Sequence, residues 1–381
     1  MINFDNAATT GRKPYEVIKA VNYALNNLSA NPGRGGHNLS VNAAQAIYNA
    51  REKIAGYFGA SGGENVIFTA NCTAAINYVL KGFLKYGDHV IISDLEHNAV
   101  IRPLKKIGVD VSVAKVSLTD DNDTVANFDK LIRDNTKMIF CTAASNVCGK
   151  TLPIKSIGEL CKKKELTFGV DAAQMAGVLP INMNEMGIHF LCVAPHKGLY
   201  APMGIGILIA EKDIGDTLIE GGTGTNSISP YQPSELPERY ESGTLNLPAV
   251  MGASAGISFI NNRGNNAYRK EMSQISRIYR EFEKMPHIEL FTPFMSEYSY
   301  VPVLSFNVKN VHSEKTAAYL NTRGIAVRAG LHCAPAAHKK LKTLNTGTVR
   351  IALSHFTTDK QIEYLIDTLK YKNIRKKLLN E

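Results

Sequence analysis

From Val66 to Ala210 the chain alternates short apolar runs with helix-like stretches, and no other feature limits its fold so strongly. The runs are VIFT, HVIISD, DVSVAKV, KMIFCTA, LTFGVDA, HFLCVA and GIGILIA, seven in all. Their content of Val, Ile, Phe and Leu, bounded by turn residues, is that of buried strands. Strands separated by helices cannot pair as hairpins and need crossovers, which predicts a mainly parallel sheet covered on both faces. The helix after VIFT is plain, with Ile76, Val79, Leu80 and Phe83 spaced along one face.

In such sheets ligands bind beyond the carboxyl ends of the strands. The residues predicted there are Cys72 and Thr73, His97, Asn146 and Asp171. Lys197 falls in the turn PHKGLYAPMG between the last two runs, among glycines and prolines that let backbone approach a ligand. Thr73 in TANCTAAIN reads as a helix-capping threonine whose free amides also suit a phosphate. A carboxylate at Asp171 suits a protonated ring nitrogen. Phosphate loop, aspartate and lysine at successive strand ends match the needs of pyridoxal phosphate, whose lysine makes the covalent link while the aspartate keeps the ring an electron acceptor.

On either side the pattern changes. NFDNAATT is predicted as an ordered arm or loop. Helices are expected over 14–28 and 40–58, the latter burying Ile47, Ala50, Ile54 and Phe58. Between them lies a glycine-rich loop carrying Arg34 and His37. Residues 220–248 form a long Gly, Ser, Thr and Pro-rich segment, expected to be functional or an interface. Beyond it, helices near 248–261, 265–285 and 314–323 and strands at 304–308 and 348–353 suggest a smaller α+β unit. Its last helix opens on a capping box, Thr358 with Gln361, and buries Ile362, Leu365, Ile366 and Leu369. The expected division is a large α/β domain over 12–248 and a small α+β domain of 1–11 plus 249–381.

Composition narrows the function classes. The net charge of +9 is spread, apart from tracts such as Lys162–Lys164 and Arg375–Lys377, without a nucleic-acid motif, so small anionic ligands suffice as partners. No membrane span or leader is expected, and the cytoplasm is the expected location. Six cysteines without CxxC spacing argue against a disulfide framework. His332, Cys333 and His338 cluster within seven residues, but zinc takes four ligands and no second pair is spaced for it, so no metal is expected.

Taken together, NFDNAATT, VIFTANCTAAIN, DLEHNAV, ASNVCG, VDAAQ, PHKGLYAPMGIG, ESGTLN, RAGLHCAP and VRIALSHFTT resemble the class V aminotransferase family of pyridoxal-phosphate enzymes, and within it the cysteine desulfurases. The short RAGLHCAP setting resembles the SUF-type subgroup, which includes selenocysteine lyases. The resemblance implies the type I fold of pyridoxal-phosphate-dependent transferases. It implies Lys197 as the cofactor-bearing lysine, Asp171 on the ring nitrogen, Gln174 on the phenolic oxygen and His97 stacked on the ring. Cys72, Thr73 and His196 would serve the phosphate, joined by Thr244 from a second subunit of a homodimer. Asn146, Arg350 and His37 would bind substrate, with Cys333 accepting sulfur from L-cysteine and passing it to an acceptor protein for Fe–S or other sulfur cofactor assembly. His332 or the cofactor-bound substrate would take the proton of Cys333. The alternatives are a selenocysteine lyase, or a transaminase or lyase of the same family on another amino acid, and Cys333 discriminates because transamination has no use for a thiol.

Overall fold

The computed structural model describes residues 1–33, 35–264 and 266–370. In chain order the elements are β1 (Ile2–Asn3), α1 (Tyr15–Asn27), α2 (Asn38–Phe58), β2 (Val66–Thr69), α3 (Cys72–Phe83), β3 (His89–Ser93), α4 (Asn98–Ile107), β4 (Asp110–Ala114), α5 (Asp121–Asp129), β5 (Thr136–Thr142), α6 (Ile154–Lys163), β6 (Thr167–Asp171), β7 (Phe190–Val193) and β8 (Gly206–Ala210). The C-terminal part adds α7 (Leu247–Arg263), α8 (Asn266–Glu283), β9 (Ile288–Leu290), β10 (Val303–Val308), α9 (Ser313–Thr322), β11 (Ile325–Ala326), α10 (Pro335–Lys340), β12 (Val349–Ala352) and α11 (Asp359–Lys370).

All seven expected runs become one sheet, ordered β2-β8-β7-β6-β5-β3-β4. Only β8 runs against its neighbours, pairing antiparallel with both β2 and β7. The register sets Thr142 beside Asp171 and Asp171 beside Cys192, so the carboxyl ends of β5 to β7 lie level along one edge. Helices cover both faces, and the expected faces are the buried ones: Ile47, Ala50, Ile54 and Phe58 on α2, and Ile76, Val79 and Leu80 on α3.

The chain's second half builds an antiparallel sheet, β12-β10-β9. The N-terminal arm is stitched to it: β1 pairs with β11, Asn6 Nδ2 donates to Ala352 O at 3.0 Å, and the Ala352 amide donates to Phe4 O at 2.6 Å. The arm therefore contains a short strand that its polar sequence did not announce. Both halves of the expected capping box form, the Thr358 amide on Gln361 Oε1 at 3.0 Å and the Gln361 amide on Thr358 Oγ1 at 3.4 Å. Three other elements, β9, β11 and α10, have only 3, 2 and 6 residues and are too short to show a period. Among the described residues no helix is long and apolar enough to cross a membrane, and no cluster could hold a metal ion.

Candidate active site

The turn after β7 carries Lys197 and is fixed from three sides. The Lys197 amide donates to Ala194 O at 3.1 Å, and the Tyr200 amide to Lys197 O at 3.0 Å. The His196 carbonyl collects the Thr10 amide and the Thr9 and Thr10 hydroxyls, each at 3.1 Å, and Lys13 Nζ at 3.3 Å. Gly198 is required by close approach, since a Cβ there would lie 2.2 Å from Ala176 O.

Around Lys197 a cavity of about 120 Å3 is lined by Cys72, Thr73, His97, Asn146, Asp171, Gln174, Ala194 and His196. Burial lowers the Lys197 pKa, and Asp171 opposes that shift. Asp171 itself is buried and oriented, its Oδ1 accepting the Ala173 amide at 3.0 Å and the Cys72 thiol at 3.7 Å. Burial first, and Asp171 second, push the Cys72 thiol well up, so it stays protonated. Gln174 donates to Ala7 O at 3.0 Å. His97 caps α4, Nδ1 accepting the Ala99 amide at 3.0 Å, which places the proton of the neutral ring on Nε2. Burial keeps that ring's pKa low, with Asp171 pulling the other way. Burial, then Lys197 and Lys13, takes His196 down to about 4, and its Nδ1 is buried without a partner among the described residues.

The expectation for Thr73 is corrected by the helix start. Asn71 is the capping residue, its Oδ1 accepting the Ala74 amide at 2.9 Å, and Thr73 is the second residue of α3. The amides of Cys72 and Thr73, which the helix leaves without an internal acceptor, thus belong to residues that line the cavity.

A second group of residues approaches from β12 and the turn before α10. Asn146 Nδ2 donates to His332 O at 2.7 Å, and the Asn98 amide donates to Cys333 O at 2.7 Å. His332 and Cys333 both adopt left-handed backbone, φ 47° and 57°, which a side chain rarely takes without such anchoring. Cys333 is exposed, whereas the other five cysteines are buried or half-buried. Arg350, 1% exposed, donates through Nη1 to Asn146 O at 2.9 Å and through Nη2 to Asp5 at 2.8 Å, and its Nε is buried without a partner among the described residues.

His332 does not fit the base it was expected to be. Its ring turns inward, Nε2 lying 3.0 Å from Thr348 O, and burial followed by the Arg350 charge takes its pKa down to about 2. The carbonyl fixes the proton on Nε2, so the ring holds the turn through Thr348.

His37 and Thr244 lie outside the cavity, both exposed. His37 caps α2, Nδ1 accepting the Ser40 amide at 3.3 Å. Thr244 follows Glu241, which forms a buried two-pronged pair with Arg51 at 2.9 and 2.5 Å and accepts the Phe68 amide at 2.5 Å, pinning ESGTLN to β2. Arg34, and the tract at Arg375–Lys377, lie outside the described residues. Asp5, Glu96 and Asn98 were not anticipated. Only Glu96 and Asn98 carried a local signal, flanking His97.

A family model described as aminotransferase class-V matches residues 2–365. The chain is 32% identical over 378 residues to a probable cysteine desulfurase of Methanothermobacter thermautotrophicus, covering 96% of this chain and 93% of that protein. It is 30% identical over 389 residues to a probable cysteine desulfurase of Borreliella burgdorferi, covering 97% and 91%. Among solved structures, the apo cysteine desulfurase from Thermococcus onnurineus aligns with a TM-score of 0.88 and 28% identity over 97% of this chain and 94% of that one.

Proposed function

The chain belongs to the aminotransferase class-V family, and from that premise we propose that it is a pyridoxal-phosphate-dependent cysteine desulfurase. L-Cysteine and the Cys333 thiol give L-alanine and a persulfide on Cys333, for Fe–S or other sulfur cofactor assembly. The observation that carries this is the exposed Cys333, anchored by Asn98 and, through His332, by Asn146, beside a cavity that contains a lysine of lowered pKa.

The residues present fit the cofactor. Lys197 would hold it covalently, Asp171 would face its ring nitrogen, Gln174 its phenolic oxygen and His97 its ring face. The amides of Cys72 and Thr73, with His196, would take the phosphate, and the orphaned His196 Nδ1 is consistent with a missing partner there. Ala194 offers that phosphate no hydroxyl. When bound, the pyridinium supplies an electron sink for bonds at the substrate's α-carbon. Burial keeps the Lys197 amine able to give up its proton. Arg350 and Asn146 would receive the substrate carboxylate, and the Cys333 sulfur would attack the substrate sulfur. A homodimer belongs to the same proposal: Thr244 and His37 lie on exposed surface, with Tyr15, Leu25 and Tyr48 also exposed on α1 and α2, and two-fold pairing is the commonest assembly. So does the division at residues 12–248, and so does a reducing, cytoplasmic setting, to which six free thiols are suited.

The test is alanine release from L-cysteine and L-selenocysteine, side by side, by wild type and Cys333→Ser. Wild type turns over cysteine and is labelled at Lys197 after borohydride reduction. The variant stays yellow but forms no persulfide. Selenocysteine turnover alone assigns a lyase, and alanine from neither substrate sinks the desulfurase in favour of another reaction of the family.

A further inference from the structure

Cys333 lies in one of two sequence segments that carry no carboxylate of their own. Between Lys315 and Thr358, and between His97 and Val109, the sequence holds ten Lys and Arg and no Asp or Glu. The whole chain has 43 basic against 34 acidic residues, so everything outside these two segments has 33 against 34 and nets −1. The net positive charge of the chain is therefore carried by these two segments, in which Lys340 and Arg350 are already paired with Asp94 and Asp5.

The fold brings both segments together. The Asn98 amide on Cys333 O seats the first turn of α4 against the Cys333 turn, and α10 starts two residues after Cys333. Asp94, just before α4, is neutralised by Lys340 at 2.7 Å. Arg102, Lys105 and Lys106 on α4, with Lys339 and Lys342, are exposed and have no ion-pair partner among the described residues. Leu331 and Leu344 add 39% and 46% exposed apolar side chains. A helix the length of α4 spans about 15 Å, so the charge extends well beyond the size of a small anion. Neither segment has an exposed aromatic ring, which single-stranded nucleic acid would use for stacking.

We propose that this face docks a protein whose acceptor thiol is ringed by Asp and Glu, and that charge complementarity selects it. The proposal rests on the persulfide at Cys333. The partner's thiolate attacks the outer sulfur of Cys333–S–SH, the S–S bond breaks, and Cys333 departs as thiolate. The outer sulfur keeps its hydrogen and becomes the partner's persulfide, with no net oxidation.

The test uses the holoenzyme, L-cysteine and two synthetic thiol peptides of equal length, one with Cys flanked by Asp and Glu and one with Cys flanked by Lys. Dithiothreitol, a small neutral thiol, is the third acceptor. The acidic peptide should be persulfidated about tenfold or more faster than the basic one, with the preference collapsing at high salt. The variant K105E/K106E/K339E/K342E should lose the preference while making alanine with dithiothreitol at the wild-type rate. Equal rates for both peptides, or a preference that survives charge reversal, overturns the docking proposal while leaving the desulfurase intact. No alanine even with dithiothreitol refutes the desulfurase itself. Binding of a short oligothymidylate at least as tight as that of the acidic peptide, and lost in the variant, assigns the face to nucleic acid and also overturns the proposal.

Discussion

Asn146 and His332 are joined by a 2.7 Å hydrogen bond from the Asn146 side chain to the His332 carbonyl, while the Asn146 carbonyl takes Arg350 Nη1 at 2.9 Å. One residue in the turn after β5 thus ties the turn of the nucleophile to the arginine proposed for the substrate carboxylate. Asn146→Ala should slow alanine formation. Loss of the turn bond alone costs about 0.5–1.5 kcal/mol, roughly 2- to 13-fold. A larger fall, with a raised KM for L-cysteine, shows that Asn146 also binds substrate, and an unchanged rate removes it from the site.

Arg350 shares its charge with Asp5, and the two substitutions should act in opposite directions. Arg350→Lys, which loses the planar fork, should raise KM for L-cysteine about 10- to 150-fold, from roughly 1.5–3 kcal/mol. Asp5→Asn leaves the arginine free of its internal counter-charge and should lower KM. Steady-state kinetics on both variants checks this, and parallel shifts in KM would place the carboxylate elsewhere.

His332 is expected to hold the turn without touching the proton of Cys333. His332→Gln keeps a donor for Thr348 O and should retain most activity. His332→Leu leaves that carbonyl unpaired and should lose about 1–3 kcal/mol of stability. The pH profile of Cys333 alkylation by iodoacetamide should coincide in wild type and His332→Gln. A displaced profile would restore His332 as the base.

Glu96 is fully buried, its Oε1 accepting the Thr142 amide at 2.9 Å and both donors of Ser93, its Oε2 without a partner among the described residues. Burial pushes its pKa from 4.5 up to about 8. With the folded pKa above the unfolded one, its contribution is present at low pH and is lost as pH rises through that window. Relative to Glu96→Gln, wild type should lose about 1.4 kcal/mol per pH unit. Thermal unfolding of both proteins near about pH 5 and pH 7.5 measures it, and parallel melting curves would refute the buried neutral carboxyl.

The strands were readable because each is a short apolar run of its own, and parallel strands put their carboxyl ends on one edge wherever they fall in the order. His97, Asn146, Asp171 and Lys197 could therefore be assigned to one site from sequence, and so could the capping box at Thr358. Thr73 was misplaced by two residues because Asn71 and Thr73 both suit a cap and only the backbone geometry chooses between them.

The rest was decided by packing between distant parts of the chain. Nothing local links Arg350 to Asp5, 345 residues away, or the Asn98 amide to Cys333. The inward turn of His332 follows from the position of Thr348 behind it. The charge on α4 and α10 comes together only because the Asn98 amide seats α4 against the Cys333 turn that leads into α10. The sequence determined which elements form and which end of the sheet bears the chemistry, since both follow from local periodicity and strand direction. Which side chains share a proton, a counter-charge or a surface depended on non-local contacts, and these exist only once the whole chain has closed around its core.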